Sequence, residues 1–268
     1  MSIIKSAILG AAVLAAIASA PASAVITTFA SFSPIGTAAN VRWVNSGTNG
    51  SNGTGGKIYS TATGSSTVAG SRNVSFSFLQ PAIAPFVTGH TAVFTLNGTV
   101  ASGNPAALAG GFLVQKNFNG TMSFTSTSAI TVSNTTYAAG SNLLSVAFGA
   151  AAITGARNST SGSLSGSTSA GNTVLFTSDF LTFTNSLDQD FALSLTSIAS
   201  PLQAIPSNGI PTRALRNFRA VAGGTFSSDP APIVNAIPEP QVWGLLVIGF
   251  GMVGLQVRRR ARQTVVVA

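Results

Sequence analysis

The feature that most constrains this chain is a two-residue alternation of apolar and hydroxyl-bearing side chains along its middle. The clearest examples are NVSFSFL (73–79), TAVFTLNG (91–98), GTMSFTST (120–127) and DFALSLTS (190–197). Successive side chains of a β-strand point to opposite faces, so this period is typical of half-buried antiparallel strands. The alternation predicts that residues such as Phe76, Phe94 and Phe124 lie in a β-sheet core, with Ser and Thr outside.

The span 25–236 contains no long helical pattern, and we count about ten to twelve candidate strands in it. Turn signals separate these strands, among them Asn97-Gly98, Asn119-Gly120 and Asn208-Gly209. Many short strands joined by Gly and Asn turns favour one all-β domain, an antiparallel β-sandwich or jelly roll. The 17 phenylalanines of the chain supply large side chains for its core.

Two segments of this span are rich in Gly, Ser and Asn. Residues 45–57 (NSGTNGSNGTGGK) predict a flexible loop between the strands around Trp43 and Tyr59. Residues 155–172 (GARNSTSGSLSGSTSAGN) predict a mobile hairpin or a sheet edge, because small polar side chains contribute little to a core.

The charge pattern argues against a nucleic-acid partner. Charged residues make up only 7% of the chain, against about a quarter in ordinary soluble domains. Part of the net charge of +8 comes from Lys5 and the C-terminal arginines, and the span 25–236, with eight Lys or Arg and four Asp, has about +4 spread thinly, whereas a nucleic-acid site needs a concentrated basic face. The densest internal basic group is Arg213, Arg216 and Arg219, for which the alternatives are a solvated strand edge and an anion or glycan-acid site. The lack of cysteine in the sequence excludes disulfides, zinc thiolates and cysteine nucleophiles.

Few residues of the span suit catalysis. His90 is the only histidine, and no GxSxG motif surrounds any serine, so a Ser-His-Asp triad has little support. Asp188 and Asp190 would share one face of a strand, but the catalytic carboxylates of glycosidases flank the substrate from separate elements. The aspartates more simply mark a turn, and calcium held by Asp188, Asp190 and carbonyl oxygens is the functional alternative. We predict that the protein is not an enzyme and has no cofactor other than this calcium ion.

A sugar-stacking platform is a second candidate site. Aromatic faces beside amides and hydroxyls suit carbohydrates, which present C–H faces and many hydroxyls. Trp43 and Tyr59 are the predicted glycan contacts, and Tyr137 and His90 are further candidates for the same platform. The alternative for Trp43 is a place in the core, because valines flank it.

The N-terminus, MSIIKSAILGAAVLAAIASAPASA (1–24), has the three parts of a secretory signal peptide. Lys5 provides the positive charge, and residues 7–18 form the apolar segment. Ala22 and Ala24 fit the two small subsites of signal peptidase, so we predict that this partner cleaves between Ala24 and Val25. The mature protein would then cross a membrane.

The C-terminal segment IPEPQVWGLLVIGFGMVGLQVRRRARQ (237–263) joins a Pro-Glu-Pro triplet, an apolar run and an arginine cluster. As a helix, the run 242–257 would span about 24 Å, less than the roughly 30 Å of a bilayer core. Trp243 at its start suits the membrane interface, and arginines at its end suit the cytoplasmic side. The flanks therefore predict a short transmembrane helix whose membrane stop is Arg258, Arg259, Arg260 and Arg262.

These residues resemble the PEP-CTERM sorting signal of Gram-negative bacteria in its PEPxxW form. The match comprises Pro238, Glu239 and Pro240, then Trp243, the glycine-bearing apolar run and the arginines, in that order. The resemblance covers residues 237–263 only. Many relatives have Ala after the Trp, where this chain has Gly, and many end soon after the arginines, where this chain continues with a tail, residues 264–268.

The resemblance implies that an exosortase recognises the signal at the inner membrane and that the protein is processed near the motif. Release to the cell surface or extracellular matrix would follow, often in bacteria that make exopolysaccharide. The implied role is structural or adhesive, in an exopolysaccharide or biofilm context. A carbohydrate-binding β-sandwich module, stabilised by calcium, is the alternative. The prolines on either side of Glu239 disfavour a helix, so the triplet would be an extended and accessible substrate for processing.

Overall fold

The computed structural model describes residues 26–183, 186–229 and 231–234, together with Phe250. Within these residues there are sixteen β-strands: β1 (Thr27–Pro34), β2 (Val41–Asn45), β3 (Gly56–Ser60), β4 (Arg72–Phe78), β5 (His90–Val100), β6 (Ala107–Ala109), β7 (Phe112–Ser126), β8 (Ile130–Val132), β9 (Thr135–Tyr137), β10 (Asn142–Ala156), β11 (Gly162–Ser167), β12 (Thr173–Thr177), β13 (Leu181–Thr182), β14 (Asp188–Ala199), β15 (Phe218–Asp229) and β16 (Ile233–Val234). Among the residues so described, no helix is both long and apolar enough to cross a membrane.

The alternation in the sequence is the alternation of buried and outward residues in the strands. In β4, Val74, Phe76 and Phe78 are buried, and the serines between them are partly exposed. The same pattern holds along β5, β7 and β14, each of which contains one of the four alternating segments. The predicted all-β fold with antiparallel strands is therefore confirmed.

Twelve of the strands form one antiparallel sheet that closes on itself. Eight of them pair in the order β1–β4–β5–β7–β10–β11–β14–β15, and β15 pairs in turn with β1. One side of the ring is split, because β2 and β3 bridge the far ends of β15 and β5, beyond the reach of β1 and β4. Closure leaves few unpaired strand edges, which protects the sheet from edge-to-edge association.

Phenylalanine rings fill the interior of this ring of strands. Phe32 of β1 has its ring centroid 4.8 Å from that of Phe124 of β7, and Phe124 lies 5.5 Å from Phe226 of β15. β1 and β15 thus contact β7 across the core, at separations typical of favourable aromatic pairs. Two opposed walls packed in this way are sandwich-like, as the strand pattern predicted.

Two of the predicted turns are wrong. Asn97-Gly98 lies within β5 and Asn119-Gly120 within β7, where Gly98 is the direct partner of Gly120. A Cβ on Gly120 would lie 2.2 Å from the backbone oxygen of Asn97, so this glycine permits close approach of two long strands. The third predicted turn, Asn208-Gly209, does lie in the loop between β14 and β15.

The segment 155–172 was predicted to be a mobile hairpin or an edge, and the edge prediction is wrong. Its strand β11 is paired on both sides, with β10 and with β14. A Cβ on Gly166 would lie 2.7 Å from the ring of Phe191. The glycine backbone therefore packs directly against this ring. The lack of a side chain at this position of β11 thus leaves room for the aromatic ring from β14.

Both predicted targeting segments lie almost wholly outside the described residues. The signal peptide with its cleavage residues Ala22, Ala24 and Val25 is one of them. The other contains the sorting motif Pro238, Glu239, Pro240 and Trp243, the apolar run apart from Phe250, and the stop residues Arg258, Arg259, Arg260 and Arg262.

Candidate functional site

The two predicted glycan contacts lie on opposite faces of one hairpin. β2 and β3 pair so that Trp43 is opposite Ile58, and Tyr59 is opposite Arg42. Directly opposed residues of antiparallel strands project from the same face, and neighbours along a strand project from opposite faces. Trp43 therefore points to the core, and Tyr59 points outward.

The glycan-contact prediction for Trp43 is wrong, because its side chain is 0% exposed. Its indole Nε1 donates a hydrogen bond to the backbone oxygen of Leu215 (2.9 Å), and its ring centroid lies 5.2 Å from that of Phe118. The core alternative is the correct one. Tyr137 packs against the core instead of contributing to a platform, and its ring centroid lies 4.0 Å from that of the buried Phe180.

Tyr59 instead belongs to an outward row that crosses four strands. Arg219 of β15 is opposite Arg42 of β2, Arg42 is opposite Tyr59 of β3, and Tyr59 is opposite Asn97 of β5. Tyr59 is half-buried, and its hydroxyl donates to the backbone oxygen of Thr67 (3.0 Å). The row places an aromatic ring and an amide beside two guanidinium groups.

A groove adjoins the arginine end of this row. One cavity of about 390 Å³ is lined by Arg216 and Gln203, and a second of about 290 Å³ by Arg42 and Arg219. Both cavities are also lined by Ser200 and Asn217, so they are neighbouring parts of one depression. We call this surface, formed by Arg42, Ser200, Arg216, Asn217 and Arg219, the arginine groove.

Each guanidinium of the arginine groove donates to a neutral oxygen of the protein. Arg42 Nη1 donates to the backbone oxygen of Thr67 (2.9 Å), and Arg219 Nη1 donates to Ser66 Oγ (2.8 Å). Arg216 Nη1 donates to the amide oxygen of Gln203 (2.8 Å). These contacts orient the three side chains without neutralising their charge.

Two asparagines fix the loop that borders the groove. Asn217 Oδ1 accepts from the backbone nitrogen of Asn45 (2.7 Å), and the nitrogen of Asn217 donates to the oxygen of Gly50 (2.9 Å). The side-chain oxygen of Asn45 accepts from the nitrogens of Gly47 and Gly53. The predicted loop between β2 and β3 is present, and these bonds hold it against the segment before β15.

The sequence alone pointed to only part of this groove. Arg216 and Arg219 of the predicted basic group line it, whereas Arg213 does not. Arg42 was not predicted, because it lies far from the others in sequence and meets Arg219 only through the pairing of β2 with β15. Nothing in the sequence pointed to Arg219 as the neighbour of Arg42.

The predicted calcium ligands lie at the opposite end of β14. Asp188 and Asp190 are on one face, as predicted, and Asp188 is opposite Asp229. Asp188 Oδ1 accepts from Thr168 Oγ1 (3.2 Å), while Asp190 Oδ1 is buried without a hydrogen-bond partner in the described structure. The described residues contain no group of three or more His, Cys, Asp or Glu suited to a metal ion, and calcium binding stays a prediction.

His90 begins β5, where it is opposite Phe76. Burial lowers its pKa below the usual value of 6.5, because desolvation disfavours the charged imidazolium. Its Nε2 is buried and has no hydrogen-bond partner among the described residues. Within the described residues, His90 Nε2 therefore makes no hydrogen bond to a nucleophile of the kind found in a catalytic triad.

Charge is segregated along the domain. The four acidic residues between 26 and 234 lie at the end where β14 begins and β15 ends: Asp179, Asp188, Asp190 and Asp229. The arginine groove lies at the other end, where β14 ends and β15 begins. At about 3.3 Å per residue, Arg219 and Asp229 of β15 are some 30 Å apart.

Comparison with known proteins identifies no relative with which this site can be compared. No protein-family model, no curated protein and no solved structure matches the chain significantly.

Proposed function

We propose that this protein is exported through the inner membrane and sorted by an exosortase to the cell surface or extracellular matrix. There it has a structural or adhesive role, in contact with exopolysaccharide, and no enzymatic activity. Its C-terminal helix is a transient anchor in the inner membrane. The proposal rests on the order of signal peptide, all-β domain, Pro-Glu-Pro motif, apolar run and arginines in the sequence.

One structural observation supports surface display. Thr27 of β1 is opposite Ser228 of β15, and Val234 of β16 is opposite Leu181. Both ends of the described domain therefore lie at the aspartate end, and the arginine groove lies at the far end. A domain held through its C-terminus would thus present the groove away from the membrane.

The experiment is fractionation of the producing bacterium with mass spectrometry of both mature termini. We expect Val25 as the first residue, a C-terminus near the motif, and recovery in the surface or matrix fraction. The variant Glu239→Ala should be retained in the inner membrane, whereas the neighbouring control Gln241→Ala should be sorted normally. Wild-type protein found intact in the inner membrane, with Arg260 attached, would contradict the proposal.

A carbohydrate-binding module is the second candidate function. The observation that favours it is the row of Arg219, Arg42, Tyr59 and Asn97, which combines cationic, aromatic and amide groups on one outward face. Trp43 takes no part, because it is buried. This candidate is compatible with the first, since a matrix protein needs a surface that adheres to the matrix.

A further inference from the structure

We infer that the arginine groove and Tyr59 bind the carboxylates of an acidic, uronate-bearing polysaccharide. The first support is a like-charged pair. Arg42 and Arg219 are directly opposite each other on neighbouring strands, an arrangement that is unfavourable when no counter-charge is near. The four aspartates of the domain are at its other end, so no acidic side chain of the described residues compensates this pair, and an anionic ligand would do so.

The second support is the hydrogen-bonding capacity that remains. A guanidinium has five N–H donors in a rigid fork that matches the two oxygens of a carboxylate. Arg42, Arg216 and Arg219 each donate from Nη1 to a neutral oxygen, which fixes the group and leaves further donors for a ligand. Fixed guanidinium groups lose little side-chain entropy on binding.

The third support is the shape of the surface, which suits a chain better than a single ion. The two cavities share Ser200 and Asn217, and the second is lined by Arg219 and Arg42, which begin the row that ends at Asn97. Four strands at about 4.8 Å spacing make this row roughly 14 Å long, enough for more than one sugar unit. Tyr59 supplies an aromatic surface, and Asn97 supplies an amide for hydroxyl groups.

The choice of a polysaccharide as the source of the carboxylates rests on the proposed location in an exopolysaccharide matrix. The anion site itself rests only on the geometry of the groove. Binding in vitro does not require sorting, so failed sorting would leave this inference standing. Failed binding would likewise leave the proposed sorting standing.

The test is binding of the full chain, purified in detergent, to immobilised alginate, with dextran as the neutral polymer and single-stranded DNA as a polyanion that carries phosphates instead of carboxylates. We expect binding to alginate that weakens with salt, and much weaker binding to dextran and DNA. Arg219→Gln and Arg42→Gln should each weaken alginate binding about tenfold or more, as expected for loss of a charged hydrogen bond. Tyr59→Ala should weaken it several-fold, and Tyr59→Phe should retain it.

The matched control is Arg213→Gln, which removes the same charge from an exposed arginine of the same segment outside the groove. It should leave alginate binding within about twofold of wild type. Cooperative thermal unfolding of the groove variants, with a midpoint no lower than that of wild type, would show that they are folded. Equal losses in Arg213→Gln and Arg219→Gln, equal binding of dextran, or equal binding of DNA would each overturn the inference.

Discussion

Two buried asparagines hold β2 in place at its two ends. Before the strand, Asn40 Nδ2 donates to the backbone oxygen of Ala222 (2.9 Å), and its Oδ1 accepts from the nitrogen of Ala222 (2.6 Å). At the end of the strand, Asn45 Nδ2 donates to the oxygen of Leu215 (2.9 Å). These side chains satisfy backbone groups where the sheet splits and strand pairing stops.

We predict that Asn45→Ala lowers the free energy of unfolding by about 2–4 kcal/mol, because several partly buried backbone groups lose their partner. Asn45 is only 2% exposed and bonds Gly47, Gly53 and Leu215. Urea denaturation measures the change. The exposed Asn52 of the same loop is the control, and Asn52→Ala should change the free energy by less than about 0.5 kcal/mol. Equal effects of the two variants would contradict this role of Asn45.

His90 provides a prediction about pH. Its pKa is lowered by burial in the folded state, so the unfolded chain takes up a proton more readily as the pH falls below 6.5. Stability contributed by neutral His90 is therefore present above this pH and is lost below it. The thermal midpoint of wild type should fall relative to His90→Gln between about pH 7 and about pH 5. Parallel midpoint curves for the two proteins would show that His90 does not contribute.

At the scale of elements, the longest strands determine where the sheet bends and divides. β5 pairs through its first half with β4 and through its second half with β3. β15 likewise pairs with both β1 and β2 at different positions. Long strands with two successive partners allow short strands to complete the ring, and the pairing of β2 with β15 brings Arg42 to Arg219.

The close approach of two long strands at Gly98 and Gly120 can be tested directly. We predict that Gly120→Ala lowers the free energy of unfolding by about 1–3 kcal/mol, because the new Cβ overlaps backbone that cannot move freely. The control is Gly110→Asn, at an exposed position with φ of 55° and nothing within 4 Å of a Cβ, where Asn is tolerated. Calorimetry of both variants gives the comparison, and a neutral Gly120→Ala would show that the strands can separate there.

At the scale of the whole molecule, the separation of charge is the main feature that relates fold to function. Arginines are opposed at one end, and Asp188 and Asp229 are opposed at the other. Each like-charged pair opposes folding, and each is far from the charges that would compensate it. The described domain therefore has a basic end, where we propose that an acidic ligand binds, and an acidic end, where the described chain begins and ends.

We predict that Asp229→Asn and Arg219→Gln both stabilise the ligand-free domain, by about 0.5 kcal/mol at low salt, since each removes one member of a like-charged pair. The gain should disappear at high salt, because ions screen exposed charges. Urea denaturation at two ionic strengths provides the measurement. A destabilised Arg219→Gln at low salt would mean that this arginine contributes to the fold rather than to a ligand site.

The sequence determined the character of the strands. Alternation depends on neighbours within one strand, so it correctly predicted which side of β4, β5, β7 and β14 is buried. It could not distinguish Asn-Gly in a turn from Asn-Gly within a strand, because that depends on the backbone packed against it. The signal peptide and sorting motif stay predictions from local composition.

Only the tertiary structure decided which strands are neighbours, and therefore what the outward surface can bind. The sheet closes because β15 pairs with β1 and β2, two strands that are far from it in the sequence. With this pairing, Trp43 lies in the core, and Arg42, Tyr59 and Arg219 lie together on the outward face. The physical reason is that register between distant strands arises from the packing of the whole core, whereas alternation arises within each strand.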